Sequence, residues 1–158
     1  MAPESARAAE RVLSRLRLGW VRQPPRGPAL ADVGAAVGNA LRESGMLDRL
    51  PRGARVAVTA GSRGIAEIVT VLGTVCECVR RAGGEPFVFP AMGSHGGATA
   101  PGQVALLESL GVSEGAVGAP LCATMEVVEV ARTETGMPVY LDRYAAQADA
   151  IIAVNRVK

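Results

Sequence analysis

Residues 55–91 read RVAVTAGSRGIAEIVTVLGTVCECVRRAGGEPFVFPA, and this stretch decides the fold. The β-branched run at 55–60 predicts a buried strand, which leads into the glycine-bearing turn GSRG. From Ile65 onward apolar residues recur at helical spacing, and Gly83 and Gly84 then predict the end of a helix. PFVFPA follows as a second strand. The stretch therefore predicts one right-handed βαβ unit with parallel strands.

The composition of the whole chain favours the same class of fold. The chain has 158 residues, the size of one ordinary domain, and 49% of them are hydrophobic while only 3% are aromatic. A core of Val, Ala, Leu and Ile is typical of parallel strands covered by helices. We therefore expect an α/β fold with a mainly parallel sheet and flanking helices, in a single domain over residues 1–158.

Charge, hydropathy and cysteine content argue against several kinds of partner. The net charge is only +2 and aromatic side chains are scarce, so a nucleic-acid surface is not expected. No stretch approaches the ~20 apolar residues of a membrane span, and the N-terminus lacks a signal core. Cys76, Cys78 and Cys122 are typical of structural thiols in a reduced compartment. We expect a cytoplasmic protein, and the sequence does not assign an oligomeric state.

Further helices and strands are predicted on both sides of the central unit. Residues 4–18 have the spacing of an amphipathic helix within a leader over 1–28, and another helix is predicted between Asp32, its N-cap, and Pro51. Thr99 is predicted to cap a helix of its own. Strands are predicted at 125–131, 138–142 and 148–158. Because the last of them runs into the basic end NRVK without a covering element, we expect the domain to be incomplete.

Two glycine-bearing loops follow the predicted parallel strands, and each carries one side chain with useful chemistry. AGSRG holds Arg63, and MGSHGG holds His95, the only histidine of the chain. The carboxyl ends of parallel strands meet at one edge, where ligands bind, so we expect both side chains at one crevice. An arginine fork can grip a carboxylate or a phosphate, and histidine suits acid/base catalysis near neutral pH. The alternatives are a solvated arginine and a histidine bonded to local backbone.

Small residues surround these two side chains. Gly93, Gly96 and Gly97 would let the loop backbone come close to a ligand or cofactor. Ser62 and Ser94 either cap the following turns or bind the substrate. Capping is the favoured hypothesis for both, because neither lies in a G-x-S-x-G nucleophile motif.

The loop VTAGSRGIA at 58–66 also resembles the nucleotide-binding loop of short-chain dehydrogenases, T-G-x-x-x-G-x-G. Ala60 and Ala66 replace two of the glycines of that motif. The catalytic Tyr-x-x-x-Lys pair is missing as well, because neither Tyr140 nor Tyr144 has a lysine four positions later. An NAD(P)-binding domain is therefore the less favoured hypothesis.

Four segments in register resemble the N-terminal part of the lactate-racemase-like isomerases, which depend on a nickel-pincer nucleotide cofactor. They are TAGSRGIAEIV, FPAMGSHGGATAPGQ, APLCATMEVVEV and GMPVYLDRYAAQADAIIAVNRVK, within residues 30–158. The resemblance implies a Rossmann-like N-terminal domain. It also implies racemisation or epimerisation of a 2-hydroxy acid, by hydride transfer to the cofactor and back to either face. His95 would be one of two opposed catalytic histidines that take the hydroxyl proton, and Arg63 would hold the substrate carboxylate.

The same resemblance assigns most of the cofactor site to residues after Lys158. Similar family members continue beyond NRVK with a Pro-His-Thr segment that carries the second histidine, and the anchoring lysine and nickel-binding histidine come later still. We therefore expect this chain to be inactive alone, and no metal ligand is assigned within it. Lactate racemases proper carry an acidic residue and a proline around the arginine, where Ala60 and Gly64 stand here, so the substrate is left open. A non-catalytic small-anion-binding domain is the alternative of a different class.

Overall fold

The computed structural model describes Arg22, residues 29–62 and residues 64–156. The predicted leader helix at 4–18 and the Arg63 side chain lie outside the described residues. None of the helices described has the length and apolar composition that a bilayer crossing requires.

The centre of the fold is a three-stranded parallel sheet. Its strands are β1 at Arg55–Ala60, β2 at Glu85–Pro90 and β5 at Ala150–Ile152, in the order β2-β1-β5. Ala60 at the end of β1 stands opposite Pro90 of β2, and Val58 stands opposite Ile152 of β5. All three strands thus end at the same edge of the sheet. The predicted parallel pairing of the first two strands and the mixed α/β class are confirmed.

Helices cover the sheet and connect its strands. They are α1 at Val33–Glu43, α2 at Ile68–Arg81, α3 at Ala100–Ser109, α4 at Glu114–Val117 and α5 at Arg143–Ala146. Short 3-10 turns lie at Leu47–Arg49 and His95–Ala98. The Thr99 side chain accepts a hydrogen bond from the Gly102 amide at the start of α3, so its predicted role as N-cap is confirmed.

Apolar side chains are buried on both faces of the sheet, as expected for parallel strands. On one face Val56 and Val58 pack in a cluster with Leu72 of α2, and all three are completely buried. On the other face Ala57 and Phe87 pack with other apolar residues, among them Ala145 of α5. Alternation along β1 therefore supplies both halves of the core.

Two helix boundaries differ from the sequence expectation. The Asp32 carboxylate accepts the Ala35 amide at 2.8 Å, which confirms the predicted N-cap of α1. The helix ends at Glu43, earlier than expected, because Gly45 follows with φ +62 and turns the chain. α2 begins at Ile68, three residues later than its apolar pattern predicts.

The strands after α4 form two separate arrangements. β3 at Val127–Arg132 and β4 at Pro138–Asp142 pair as an exposed antiparallel hairpin outside the parallel sheet, and both strand predictions are confirmed. The buried strand predicted over 148–158 is confirmed only in part, since Ala150–Ile152 pairs with β1 and residues 153–156 do not, while residues 157–158 lie outside the described residues. Beyond β5 the Thr59 side chain replaces the backbone pairing between the strands. Its hydroxyl accepts a hydrogen bond from the Val154 amide at 2.8 Å and donates one to the Val154 carbonyl at 3.1 Å.

We expect Thr59→Val to lower the free energy of unfolding by about 1–3 kcal/mol, because valine keeps the shape but leaves both Val154 backbone groups without the hydroxyl. Urea denaturation measures this change. Thr70→Val, at an exposed position of α2, is the matched control and should change stability by less than about 0.5 kcal/mol. Equal effects of the two substitutions would show that the Thr59 hydroxyl does not hold the chain after β5.

Burial of Cys76 predicts a loss of stability at alkaline pH. Desolvation raises the pKa of the Cys76 thiol from 9.0 to about 11, and the positive charge of Arg80 opposes the rise only in part. The unfolded chain releases this proton at lower pH, so the stabilisation is complete below pH 9 and is lost as the pH rises to about 11. The loss amounts to about 2–3 kcal/mol.

Urea unfolding at several pH values between 9 and about 11 tests this expectation. Cys76→Ala should flatten the fall in stability. Val75→Ala removes a neighbouring buried side chain that does not titrate, so it should lower stability by a similar amount at every pH. A fall of the same slope in Cys76→Ala would assign the effect to another group.

Candidate active site

The two predicted site loops leave the sheet side by side, at the carboxyl ends of β1 and β2. Ser62 from the first loop and His95 from the second line one open cleft of about 220 Å³. Among the described residues, Gly96 and Leu106 also line it. His95 is half-buried. The structure therefore brings Ser62 and His95 together although they are 33 positions apart in the sequence.

The other predicted site residues take different places. Arg63 directly follows Ser62 in the chain, but its own placement lies outside the described residues. Ser94 is exposed, and its side chain makes no capping hydrogen bond, so the hypothesis that it caps the next turn is wrong. Gly93 and Gly97 are exposed and do not line the cleft. Of the predicted glycines, Gly96 alone lines it.

Both loops hold their backbone in a costly conformation. Among the described residues, the only non-glycine residues with positive φ are Glu67 and Ala98, each at +52°, and one lies in each loop. Glu67 occupies the N-cap position of α2 without a side-chain cap, so no serine caps this helix. Left-handed backbone costs about 1–2 kcal/mol for a residue with a Cβ atom. Such strain concentrates at functional sites, which supports a functional role for this edge of the sheet.

The loop that carries His95 packs directly on the first turn of α3. A Cβ atom on Gly96 would stand only 2.5 Å from the Gln103 amide nitrogen, and a Cβ atom on Gly102 would collide with the Gly96 carbonyl. Two glycines are thus needed for this close approach of backbones. The Thr99 hydroxyl joins both sides, because it accepts from the Gly102 amide at 3.1 Å and donates to the Gly96 carbonyl at 3.1 Å.

Gln103 is a positioning residue that the sequence analysis missed. It is 5% exposed and is the one buried polar side chain in the described part of the chain. Its amide Nε2 donates to the Gly93 carbonyl at 2.8 Å, which ties the start of the loop to α3. The sequence pattern that could have identified it is a polar residue one turn before Leu107, on the face of the helix that is predicted to be buried. With Thr99 and Gln103 bonded at its two ends, the loop holds His95 in a defined position.

A larger groove, of about 510 Å³, lies between α1 and α2 on another part of the surface. Its arginines already have partners, since Arg81 pairs with Glu77 at 2.8 Å and Arg42 bonds Asn39 at 2.9 Å. We therefore place the candidate active site at the smaller cleft, where an imidazole, strained loops and the carboxyl edge of the sheet coincide.

The described residues do not by themselves form a nickel site. Within residues 29–62 and 64–156 no three His, Cys, Asp or Glu side chains lie close enough together to hold a metal ion. His95 shares its cleft with Ser62, Gly96 and Leu106, which do not complete a nickel ligand set.

The packing of the His95 loop predicts unequal effects of two neighbouring substitutions. Gly96 and Gly97 have similar positive φ values of +65 and +68, but a Cβ atom on Gly97 meets nothing within 4 Å. Gly97→Ala should therefore cost only the backbone strain of about 1–2 kcal/mol. Gly96→Ala adds a clash with the backbone of α3 and should cost about 3 kcal/mol or more. Urea denaturation measures both, and equal losses would mean that the loop does not pack on α3 as described.

Comparison with known proteins identifies no relative of this chain. No family model, no curated protein and no solved structure matches the chain. The family resemblance therefore stays a hypothesis that rests on the four sequence segments.

Proposed function

We propose that this chain is the N-terminal part of an isomerase that racemises or epimerises a 2-hydroxy acid, with His95 as its acid/base. The observation that carries the proposal is the cleft that Ser62 and His95 line at the carboxyl edge of the parallel sheet. Ligands of open α/β sheets bind at this edge. At about 220 Å³ the cleft is smaller than the ~300–1,000 Å³ pockets that take drug-sized ligands, which favours a small substrate.

The proposed role of His95 follows from what inversion at a hydroxylated carbon requires. When the carbon–hydrogen bond of a 2-hydroxy acid breaks as hydride, the hydroxyl must lose its proton, and the proton must return when that bond forms again. An imidazole nitrogen can accept the proton in the first step and donate it in the second. Because His95 is half-buried, its ring borders the cleft and retains contact with solvent.

Neighbouring residues support this role through position. The bonds from Thr99 and Gln103 hold the loop, so little freedom has to be lost when the base meets the substrate. Leu106 adds an apolar side chain to the lining of the cleft. We propose Arg63 as the carboxylate clamp and Ser62 as a hydrogen-bonding partner of the substrate, since both belong to the loop after β1.

The nickel-pincer nucleotide that the resemblance implies would carry the hydride. The described residues do not complete its metal site, so its metal ligands would come from other residues. The part of the reaction assigned to this chain is the binding of the acid and the movement of the hydroxyl proton.

We expect His95→Ala to slow the interconversion of stereoisomers by about a hundredfold to ten-thousandfold in a cofactor-loaded enzyme that contains this chain, because general acid–base catalysis contributes that much. Chiral chromatography of a panel of 2-hydroxy acids measures the rate. Ser109→Ala, at the exposed end of α3, is the control and should keep the wild-type rate.

Full activity of His95→Ala would remove the assigned role. If the wild-type enzyme binds a 2-hydroxy acid but never changes its stereochemistry, the non-catalytic anion-binding domain becomes the better description. That alternative uses the same loops and does not need the histidine chemistry.

A further inference from the structure

The side chain of Arg156 lies over Gly64, in the loop that follows β1. A Cβ atom on Gly64 would stand 2.9 Å from Nη1 and 3.3 Å from Cδ of Arg156. Glycine is favoured here by its φ of +82, and the absence of a Cβ atom leaves room for the Arg156 side chain. Ser62, two positions earlier, lines the His95 cleft. The Arg156 guanidinium is thus a neighbour of the candidate active site.

The backbone after β5 brings Arg156 to this place. β5 is parallel to β1, so the chain leaves it at the same edge as the two site loops, and the Thr59 hydroxyl then holds Val154 alongside β1. Neighbouring strands lie ~4.8 Å apart, so the ends of β2 and β5 flank β1 with roughly 10 Å between them. His95 and Arg156 therefore lie on opposite sides of the loop after β1, and Arg156 stands outside the lining of the His95 cleft, on the flank of the loop that carries Ser62.

The charge of Arg156 is not neutralised within the described part of the chain. Several other arginines there pair with a carboxylate, namely Arg80, Arg81, Arg132 and Arg143. Among the described residues, no carboxylate oxygen lies within 4.0 Å of the Arg156 guanidinium and no hydrogen bond engages it. A cation packed on a site loop without an acidic partner is suited to bind an anionic group of a ligand.

We propose that Arg156 binds the carboxylate of the acid whose hydroxyl faces His95. The inference rests on the proposed function and assigns to it a further arginine in addition to the proposed clamp Arg63. The planar fork of an arginine donates two parallel hydrogen bonds to a carboxylate. A site built in this way selects the charged acid over an uncharged amide of the same shape.

Titration of the full chain with glycolate tests the proposal. Glycolate is the smallest 2-hydroxy acid, and glycolamide carries the same hydroxyl without the negative charge. Backbone amide NMR shifts give the affinity for each probe. Because His95 is the only histidine, its imidazole yields a single set of signals that reports contact with the probe.

We expect Arg156→Gln to weaken glycolate binding about tenfold or more, as for the loss of a charge-assisted hydrogen bond, and to leave glycolamide binding unchanged. Arg156→Lys keeps the positive charge and the aliphatic part of the side chain over Gly64 but loses the planar guanidinium. Its affinity for glycolate should therefore lie between those of the wild type and Arg156→Gln. Arg52→Gln is the matched control. Arg52 lies over Gly83, also at positive φ, with Cγ 3.5 Å from a Cβ atom there, but at the opposite end of the strands. It should keep wild-type affinity.

The possible outcomes separate this inference from the proposed function. If Arg156→Gln binds glycolate as tightly as wild type while the imidazole signal still moves, the assignment of Arg156 is overturned and the role of His95 stands. If the affinity depends on Arg156 but the imidazole signal does not move, Arg156 is upheld as an anion-binding residue and the acid/base role of His95 is overturned. If glycolate does not bind the wild-type chain, both are overturned.

Discussion

The structure depends on the parallel pairing of β1, which has a hydrogen-bonded neighbour on each side. Val56, Ala57 and Val58 are completely buried, and their alternation sends side chains into the cores on both faces of the sheet. A slip of one residue would exchange the two faces, and the side chains of β1 would then not fit either core. Because this register is fixed, the chain leaves β1, β2 and β5 at the same edge of the sheet. The loops of the candidate site meet at that edge.

The site edge combines strained backbone with the bonds that hold it. Ala98 stands at positive φ directly before Thr99, whose hydroxyl bonds the loop on one side and α3 on the other. Gln103 adds a buried hydrogen bond to Gly93. Each such bond contributes about 1 kcal/mol, which together offsets a strain of about 1–2 kcal/mol. A loop held in this way presents His95 in one position, as acid/base chemistry requires.

Much of the fold could be predicted because its signals are local. The β-branched run of β1, the N-caps Asp32 and Thr99, and the hairpin strands were all identified from short patterns. The predicted bounds of elements were wrong where a turn interrupts a local pattern, or where a predicted strand has no neighbouring strand to pair with over its whole length. Gly45 ended α1 early. The apolar run after Ala150 became a short strand, because beyond Val58 the Thr59 hydroxyl, and not a backbone pairing with β1, bonds Val154.

By itself, the sequence determined the class of fold, the order of its strands and helices along the chain, and the residue types available for chemistry, above all the single histidine in a glycine loop. It did so because periodicity and capping act over a few residues. Only the tertiary structure decided that His95 shares a cleft with Ser62, that Gln103 supports its loop and that Arg156 lies on Gly64. These contacts join residues far apart in the chain, and they exist because strand register and close glycine packing bring separate segments to one edge of the sheet.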